Sequence, residues 1–348
     1  MHSKIENLKI NVTFEGNLMG LRDYVTRRAV EVVILIILAT SLNFFIFRLM
    51  PGNPAARFIE NPRFDMETRR MLLRRFGLDK PLWEQFLIYF RNAFTGEFGM
   101  SFSYFRPVWD VIFSRRLINT IILMSSSTIL SMMMGLIVGV IASWKRGTKL
   151  DVGSLITSLV LYSLPVFFLG MLIILVFAYY WYQWFGSGLI PFAGTITRGL
   201  KHANVLQYVA DYLWHLIPPM LTLASINFGL YFLIMRNTML DILTQDYMLT
   251  ARAVGLDNKT VLFSYAMRNA MLPLITIVAI NLAFVVSGAV LTETVFSWYG
   301  MGRLIYLSVM EHDYPVLEGA FWLISVLVLI ANFLADIVYA YLDPRIKY

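Results

Sequence analysis

Residues 246–273 read DYMLTARAVGLDNKTVLFSYAMRNAMLP, a polar passage set between two strongly apolar stretches. Its local chemistry spells two helices with a turn between them. Asp246 offers a carboxylate acceptor for the orphan amides that begin a helix, and Gly255 supplies a left-handed residue to end it. Asp257 then starts a second helix that runs back into apolar sequence. Ala251, Ala253 and Gly255 are small, which lets a partner approach the short helix closely. Two readings are open on this pattern alone: a solvated connector between membrane helices, or an element gripped by another protein.

Composition decides the surroundings. The chain of 348 residues is 58% hydrophobic and 15% charged, with a mean hydropathy of +0.65, far from the balance of a soluble domain. It has room for several membrane spans, but not for those and a large soluble enzyme domain. The formal net charge of +7 does not point to nucleic acid, because the basic residues form no single stripe. They gather at the ends of apolar segments, as in lipid-facing proteins. With no cysteine, disulfides, thiolate catalysis and cysteine-metal sites are excluded. The first 28 residues are mixed and polar, without the apolar core and small-residue cleavage site of a signal peptide. The first apolar segment is therefore expected to persist as a membrane helix.

A spanning helix needs roughly 20 predominantly apolar residues, and six stretches satisfy this. They are Ala29 to Phe47, Leu117 to Ser143, Leu155 to Trp184 with a kink expected at Pro165, Trp214 to Met235 with Pro218-Pro219, Leu272 to about Phe296, and Leu317 to Leu342. The expected class is an all-α integral membrane protein. Lys145, Arg146 and Lys149 lie between the second and third spans, and Arg236, Arg252, Lys259 and Arg268 between the fourth and fifth. With Arg22, Arg27 and Arg28 before the first span and Arg345 and Lys347 after the last, all four sets fall on one side. That side reads as the cytoplasm, with both termini in it. The arginines of the first long loop do not oppose this, since long loops cross largely regardless of charge.

The organisation that follows has a cytoplasmic N-terminal extension over 1–28 and a first span over 29–49. An outer cap covers 50–116, a five-helix core with a cytoplasmic loop at 236–271 covers 117–342, and a cytoplasmic tail covers 343–348. In the cap, Asp65 to Phe76 reads as a short amphipathic helix stopped by Gly77. Pro81 suits the first turn of another helix running to Phe94, and Gly96 and Gly99 mark turns. The glycine-rich stretch from Gln183 to Tyr212 reads as irregular.

Chemistry is sparse. None of the four histidines, His2, His202, His215 and His312, pairs at the i, i+4 spacing of a zinc-binding helix. Glu311-His312-Asp313 reads as a solvated turn rather than a metal site. Gly255 before Lys259-Thr260 lacks the second glycine and the preceding strand of a phosphate loop, so this chain is not expected to bind ATP. Asn43, Asn119, Asn227, Asn281, Asn332, Glu293 and Asp336 are costly against lipid and are expected to point inward or to headgroups. Asn227 and Asn281, mid-span on the helices flanking the cytoplasmic loop, are the preferred pathway candidates, with Asn119 beside them. The serines at 125–127 and 131 suit either a polar pathway or close helix packing, and packing is the better reading. A stand-alone channel or ion-coupled secondary transporter lacks a filter motif or a mid-membrane acid. A membrane enzyme lacks a paired nucleophile and base.

Further motifs occur in order along the chain: FRLMPGNP at 47–54, FGLDKPL at 76–82, GEFGMS at 96–101, RPV at 106–108, TARAVGL at 250–256, ETVFSW at 293–298, DYPV at 313–316 and LDPRI at 342–346. The ordered set resembles the first permease subunit of the dipeptide/oligopeptide class of ABC importers, over roughly 29–348. The resemblance implies a six-helix type I importer (MetI-like) fold paired with a second, homologous permease. It implies two ATPase subunits that bind ATP and Mg, an extracytoplasmic substrate-binding protein, and no cofactor or metal on this chain. It also implies a coupling helix at about Asp246 to Leu256, with Asp246, Tyr247, Thr250, Ala251, Arg252, Ala253, Gly255 and Leu256 as its contact residues. Ala251 and Gly255 stand at the signature alanine and glycine. Leu249 stands where many importers have a glutamate, so no acidic contact is implied there, and Tyr299 stands where proline is common. Cargo is left open among peptides, oligosaccharides and nickel.

Overall fold

The structure, a computed structural model, describes residues 21–49, 65–67, 79–186 and 188–342. The expected helix from Asp65 to Phe76, the N-terminal extension before residue 21 and the tail at 343–348 lie wholly or mostly outside these residues. Helix α1 (Leu21–Leu49) leads to the cap helices α2 (Leu82–Thr95) and α3 (Val108–Phe113). Then come α4 (Arg116–Trp144), α5 (Lys149–Ser163), α6 (Val166–Phe185), α7 (Val205–Leu243) and the short α8 (Asp246–Ala253). The chain continues through α9 (Asn258–Ser287), α10 (Val290–Val295) and α11 (Met301–Met310) to α12 (Tyr314–Leu342). Among the described residues, six helices are long and apolar enough to cross a membrane: α1, α4, α6, α7, α9 and α12. The six expected spans are thus present, with different limits.

Each difference has a local cause. Pro165 does not kink one long third helix; it divides it. Leu164 is driven to the extended conformation (ψ 136°) that a following proline favours, and α6 restarts after Pro165. Helix α7 runs for 39 residues, about 58 Å, against a hydrocarbon core of about 30 Å. It passes through Pro218-Pro219 unbroken and extends past the expected 214–235 at both ends. Polar residues such as Gln207 and Asn237 lie there, and a helix does not stop where the lipid stops. The fifth span begins at Asn258 rather than Leu272 and ends at Ser287 rather than Phe296. Gly288, at φ 78° and ψ 169°, occupies backbone space that is essentially glycine's own. The irregular stretch between the third and fourth spans is shorter than expected, since α6 reaches Phe185 and α7 starts at Val205.

Close packing of α4 on α7 forms the centre. Ser127, Ser131, Gly135 and Gly139, spaced by four, are all buried on α4. A Cβ at Gly135 would lie 2.8 Å from the Phe232 amide nitrogen, and one at Gly139 would lie 2.9 Å from Met235 Cβ. The serine hydroxyls bond back to their own helix, Ser127 to the Met124 carbonyl and Ser131 to that of Thr128. Small residues at this spacing let two backbones meet in lipid, where van der Waals contact drives association.

The cap is sewn to the ends of α1 and α12 by aromatic rings. Phe44 meets Phe86 and Tyr89 with centroids 5.3 and 5.5 Å apart, and Trp322 meets Phe94 and Phe98 at 6.1 and 5.4 Å. Pro81 precedes α2 as its N-cap rather than opening its first turn, and Gly96 closes the helix at φ 80°. Asn43 Nδ2 donates to Tyr89 Oη at 2.7 Å and to the Glu318 carbonyl at 3.0 Å, so it is a packing group.

Candidate coupling helix and the polar groups of the spans

Helix α8 hangs between two spans on short tethers, Thr244-Gln245 before it and Val254 to Asp257 after it. Its start differs from the expectation. Gln245 is the N-cap and makes no side-chain capping bond, while Asp246 is the first helical residue. There its carboxylate favours the positive end of the helix dipole without a cap bond. The end is as the sequence suggests. Gly255 is left-handed at φ 88°; its N–H donates to the Arg252 carbonyl at 3.0 Å and the Leu256 N–H to that of Ala251 at 3.3 Å. This pair of bonds is the Schellman closure. Asp257 then caps α9 by accepting from the Lys259 and Thr260 amides at 3.2 and 3.3 Å. Its bonding to Thr260 holds the carboxyl below its ordinary pKa.

The two faces of α8 differ. Met248 and Ala251 are buried against Met235 and Met239 of α7 and Val261, Leu262, Ala266 and Ala270 of α9. Ala251 therefore lies against the chain's own core, where its small side chain lets α8 sit close. Asp246, Tyr247, Thr250, Arg252, Ala253 and Gly255 are exposed and Leu256 is half-buried. Leu249 and Val254 add large apolar groups to that outer face, 59% and 75% exposed. Arg252 lies over the Trp144 ring at 5.8 Å, and Tyr247 Oη accepts from Asn269 Nδ2 at 3.1 Å. Beside it, Arg236 grips Asp151 through Nε at 2.6 Å and Nη2 at 3.0 Å, tying α7 to the start of α5. Arg236 first, and the Gly147 amide, hold the Asp151 carboxyl below its ordinary pKa, against a desolvation that raises it.

Among the described residues no hydrogen bond joins the three asparagines to one another. Asn119 donates to the Tyr299 carbonyl at 2.6 Å and accepts from Tyr212 Oη at 3.1 Å, so it ties α4 to α7 and to the segment before α11. Asn281 donates to Tyr231 Oη at 2.8 Å, joining α9 to α7. Asn227 is half-buried. Glu293 is fully buried, taking bonds from Thr120 Oγ1 at 2.8 Å and the Arg303 amide at 2.9 Å. The turn at Glu311-His312-Asp313 is not solvated throughout as expected: Asp313 is buried and accepts from Ser101 Oγ and from the Phe102 and Ser103 amides. Among the described residues no group of histidine and carboxylate side chains could hold a metal ion.

Two polar nodes escaped the sequence reading. Besides the Asp151–Arg236 pair, Asp211 accepts from Thr197 Oγ1 at 2.7 Å and meets His202 Nε2 at 3.0 Å, pinning the loop before α7 onto it. The i, i+4 spacing of Asp211 and His215 was a visible signal for this node; Asp151 and Arg236 are 85 positions apart and carried none.

The comparisons agree with this architecture. Residues 21–124 match the N-terminal membrane component of binding-protein-dependent transport systems, and residues 131–348 match the inner membrane component. The oligopeptide transport system permease protein AppB of Bacillus subtilis is 34% identical over 93% of this chain and 99% of its own. The dipeptide transport system permease protein DppB of Escherichia coli is 32% identical over 93% and 98%. The glutathione transport system permease protein GsiC of Escherichia coli is 33% identical over 94% and 99%. The chain, a multi-pass membrane permease and not an ATPase, therefore belongs to the family of inner membrane components of binding-protein-dependent transport systems.

Proposed function

We propose that this chain forms one half of the translocation pathway of an ATP-driven peptide importer, beside a second, homologous permease. Peptide cargo is favoured by the names of the relatives, two of which are oligopeptide and dipeptide permeases. The observation that carries the coupling role is the exposed apolar outer face of α8, Leu249 and Val254, on a helix whose inner face is locked by Met248 and Ala251. A groove on an ATPase subunit covers that face. The partner ATPases bind ATP and Mg; their closure carries α8 along, and the short tethers pass the displacement to α7 and α9 as a rigid-body tilt. The end of the bundle bearing α8 lies in the cytoplasm with both termini, and the cap receives the loaded binding protein on the other side.

The test is a double substitution, Leu249→Asp with Val254→Asp, in the complete complex. ATPase subunits are expected to be lost on purification, with uptake of a labelled dipeptide into proteoliposomes falling by about a hundredfold, since central apolar anchors dominate such interfaces. Full retention of both the subunits and the uptake would remove α8 from the coupling role.

A further inference from the structure

At the cap end, five arginines stand together, and among the described residues none of them meets a carboxylate in an ion pair. Arg116, the first residue of α4, is 5% exposed, and its guanidinium lies between the rings of Tyr104 at 4.9 Å and Tyr299 at 4.4 Å. Its Nε has no hydrogen-bond partner. Half-buried Arg303 on α11 donates Nη1 to the Ser297 carbonyl at 2.9 Å. Burial first, then the nearby charges of Arg198 and Arg116, lower its pKa from the ordinary value. Arg106 adds its field at Tyr299, and Arg115 bonds Tyr208 Oη at 3.0 Å. Among the described residues none of the five is in an ion pair, whereas at the coupling end Arg27, Arg28 and Arg236 all face carboxylates. Glu293 approaches the cluster, but its oxygens are taken by Thr120 Oγ1 and the Ala289 and Arg303 amides.

A buried guanidinium without an anion is costly, because desolvation is not repaid. An arginine edge with a free Nε matches a carboxylate in a bidentate fork. Exposed arginines around it draw anions toward the mouth. The ties through Asn119 place the cluster where α4, α7 and the segment before α11 converge.

We propose that Arg116, framed by Tyr104 and Tyr299, together with Arg303 forms a carboxylate subsite at the cap end that takes the free C-terminal carboxylate of the cargo peptide. The proposal rests on the peptide-importer reading. One buried arginine against two tyrosine rings, with a half-buried arginine nearby, suits the small end of a peptide rather than the broad surface of a protein.

The test uses the complete complex in proteoliposomes, with binding protein saturated by trialanine or by trialanine amide. The native complex should move trialanine about tenfold faster than the amide, the scale of one charged hydrogen-bonded contact. Arg303→Gln should lower trialanine uptake about tenfold, leave the amide unchanged and so erase the difference. The binding-protein concentration giving half-maximal ATPase stimulation should stay as in the native complex. Arg198→Gln, at an exposed position, should reduce the preference about twofold. Equal native rates for the two peptides, or a preference untouched by both substitutions, would overturn the subsite alone. A rise in the half-maximal binding-protein concentration, with both peptides slowed alike, would assign the cluster to docking an acidic protein surface and overturn it too. If the native complex moves neither peptide, the peptide-importer reading falls and takes the subsite with it.

Discussion

At the cap end, Asp313 collects the Ser101 hydroxyl and two backbone amides, Asn43 bridges Tyr89 and the Glu318 carbonyl, and aromatic rings interlock across α1, α2 and α12. At the opposite end, α8 buries Met248 and Ala251 of its own side chains, between short tethers, while Leu249 and Val254 lie exposed. The difference teaches how the two ends divide their work. Many directional bonds and interlocked rings hold one arrangement. Apolar contact is non-directional, so the mount of α8 fixes one arrangement less strictly.

The sharpest way to break this comparison is to wedge the mount and the open face separately. Ala251→Phe forces a large ring into the cluster of Met235, Met248 and Val261 and should cut peptide uptake about a hundredfold, an overpacking cost of about 1–3 kcal/mol. Ala253→Phe, on the exposed face, should leave the thermal stability of the purified subunit unchanged while weakening retention of the ATPase subunits. Equal loss of stability in both variants would erase the distinction between the faces.

Next in size is Gly135→Leu, which drives a side chain into the Tyr231–Phe232 backbone and should lower the unfolding midpoint and the yield of the whole bundle. A normal midpoint would mean that α4 and α7 are not held at this spacing. Asp313→Ala leaves the Phe102 and Ser103 amides and the Ser101 hydroxyl without their acceptor, about 1–3 kcal/mol. Faster hydrogen exchange should appear at 101–104 and not at α8; exchange rising equally at both ends would show that the ends are not independent.

The smallest effect is a pH dependence. The Asp151 carboxyl, depressed chiefly by Arg236, contributes stability that is fully present above the ordinary carboxylate pKa of about 3.9 and is lost as pH falls below it. Unfolding midpoints measured downward from neutral pH should decline less steeply in Asp151→Asn than in the native chain. Identical slopes would deny the Arg236 tie any part in acid stability.

Much of the fold was legible because its signals are local. Six apolar runs, the left-handed Gly255 and the Asp257 cap act within a few residues of themselves. The limits of the spans were less legible: polar ends disguised α7 and α9, and Pro165 was read as a bend although it forces Leu164 out of the helix. The short helix at 246–253 was legible as a segment, but its division into inner and outer faces was not, because α8 is amphipathic only with respect to a core that α7 and α9 build.

The sequence by itself determined that this chain lives in a membrane, crosses it six times, carries no phosphate loop and presents a helix–glycine–helix passage between two spans. Those properties follow from hydropathy summed along the chain and from backbone preferences of single residues. Only the tertiary structure decided that Ala251 faces inward while Leu249 and Val254 face out, that Asp151 meets Arg236, and that Arg116 packs against the Tyr104 and Tyr299 rings. Each of these depends on groups distant in sequence being brought within a few ångströms, and no local preference encodes such a meeting.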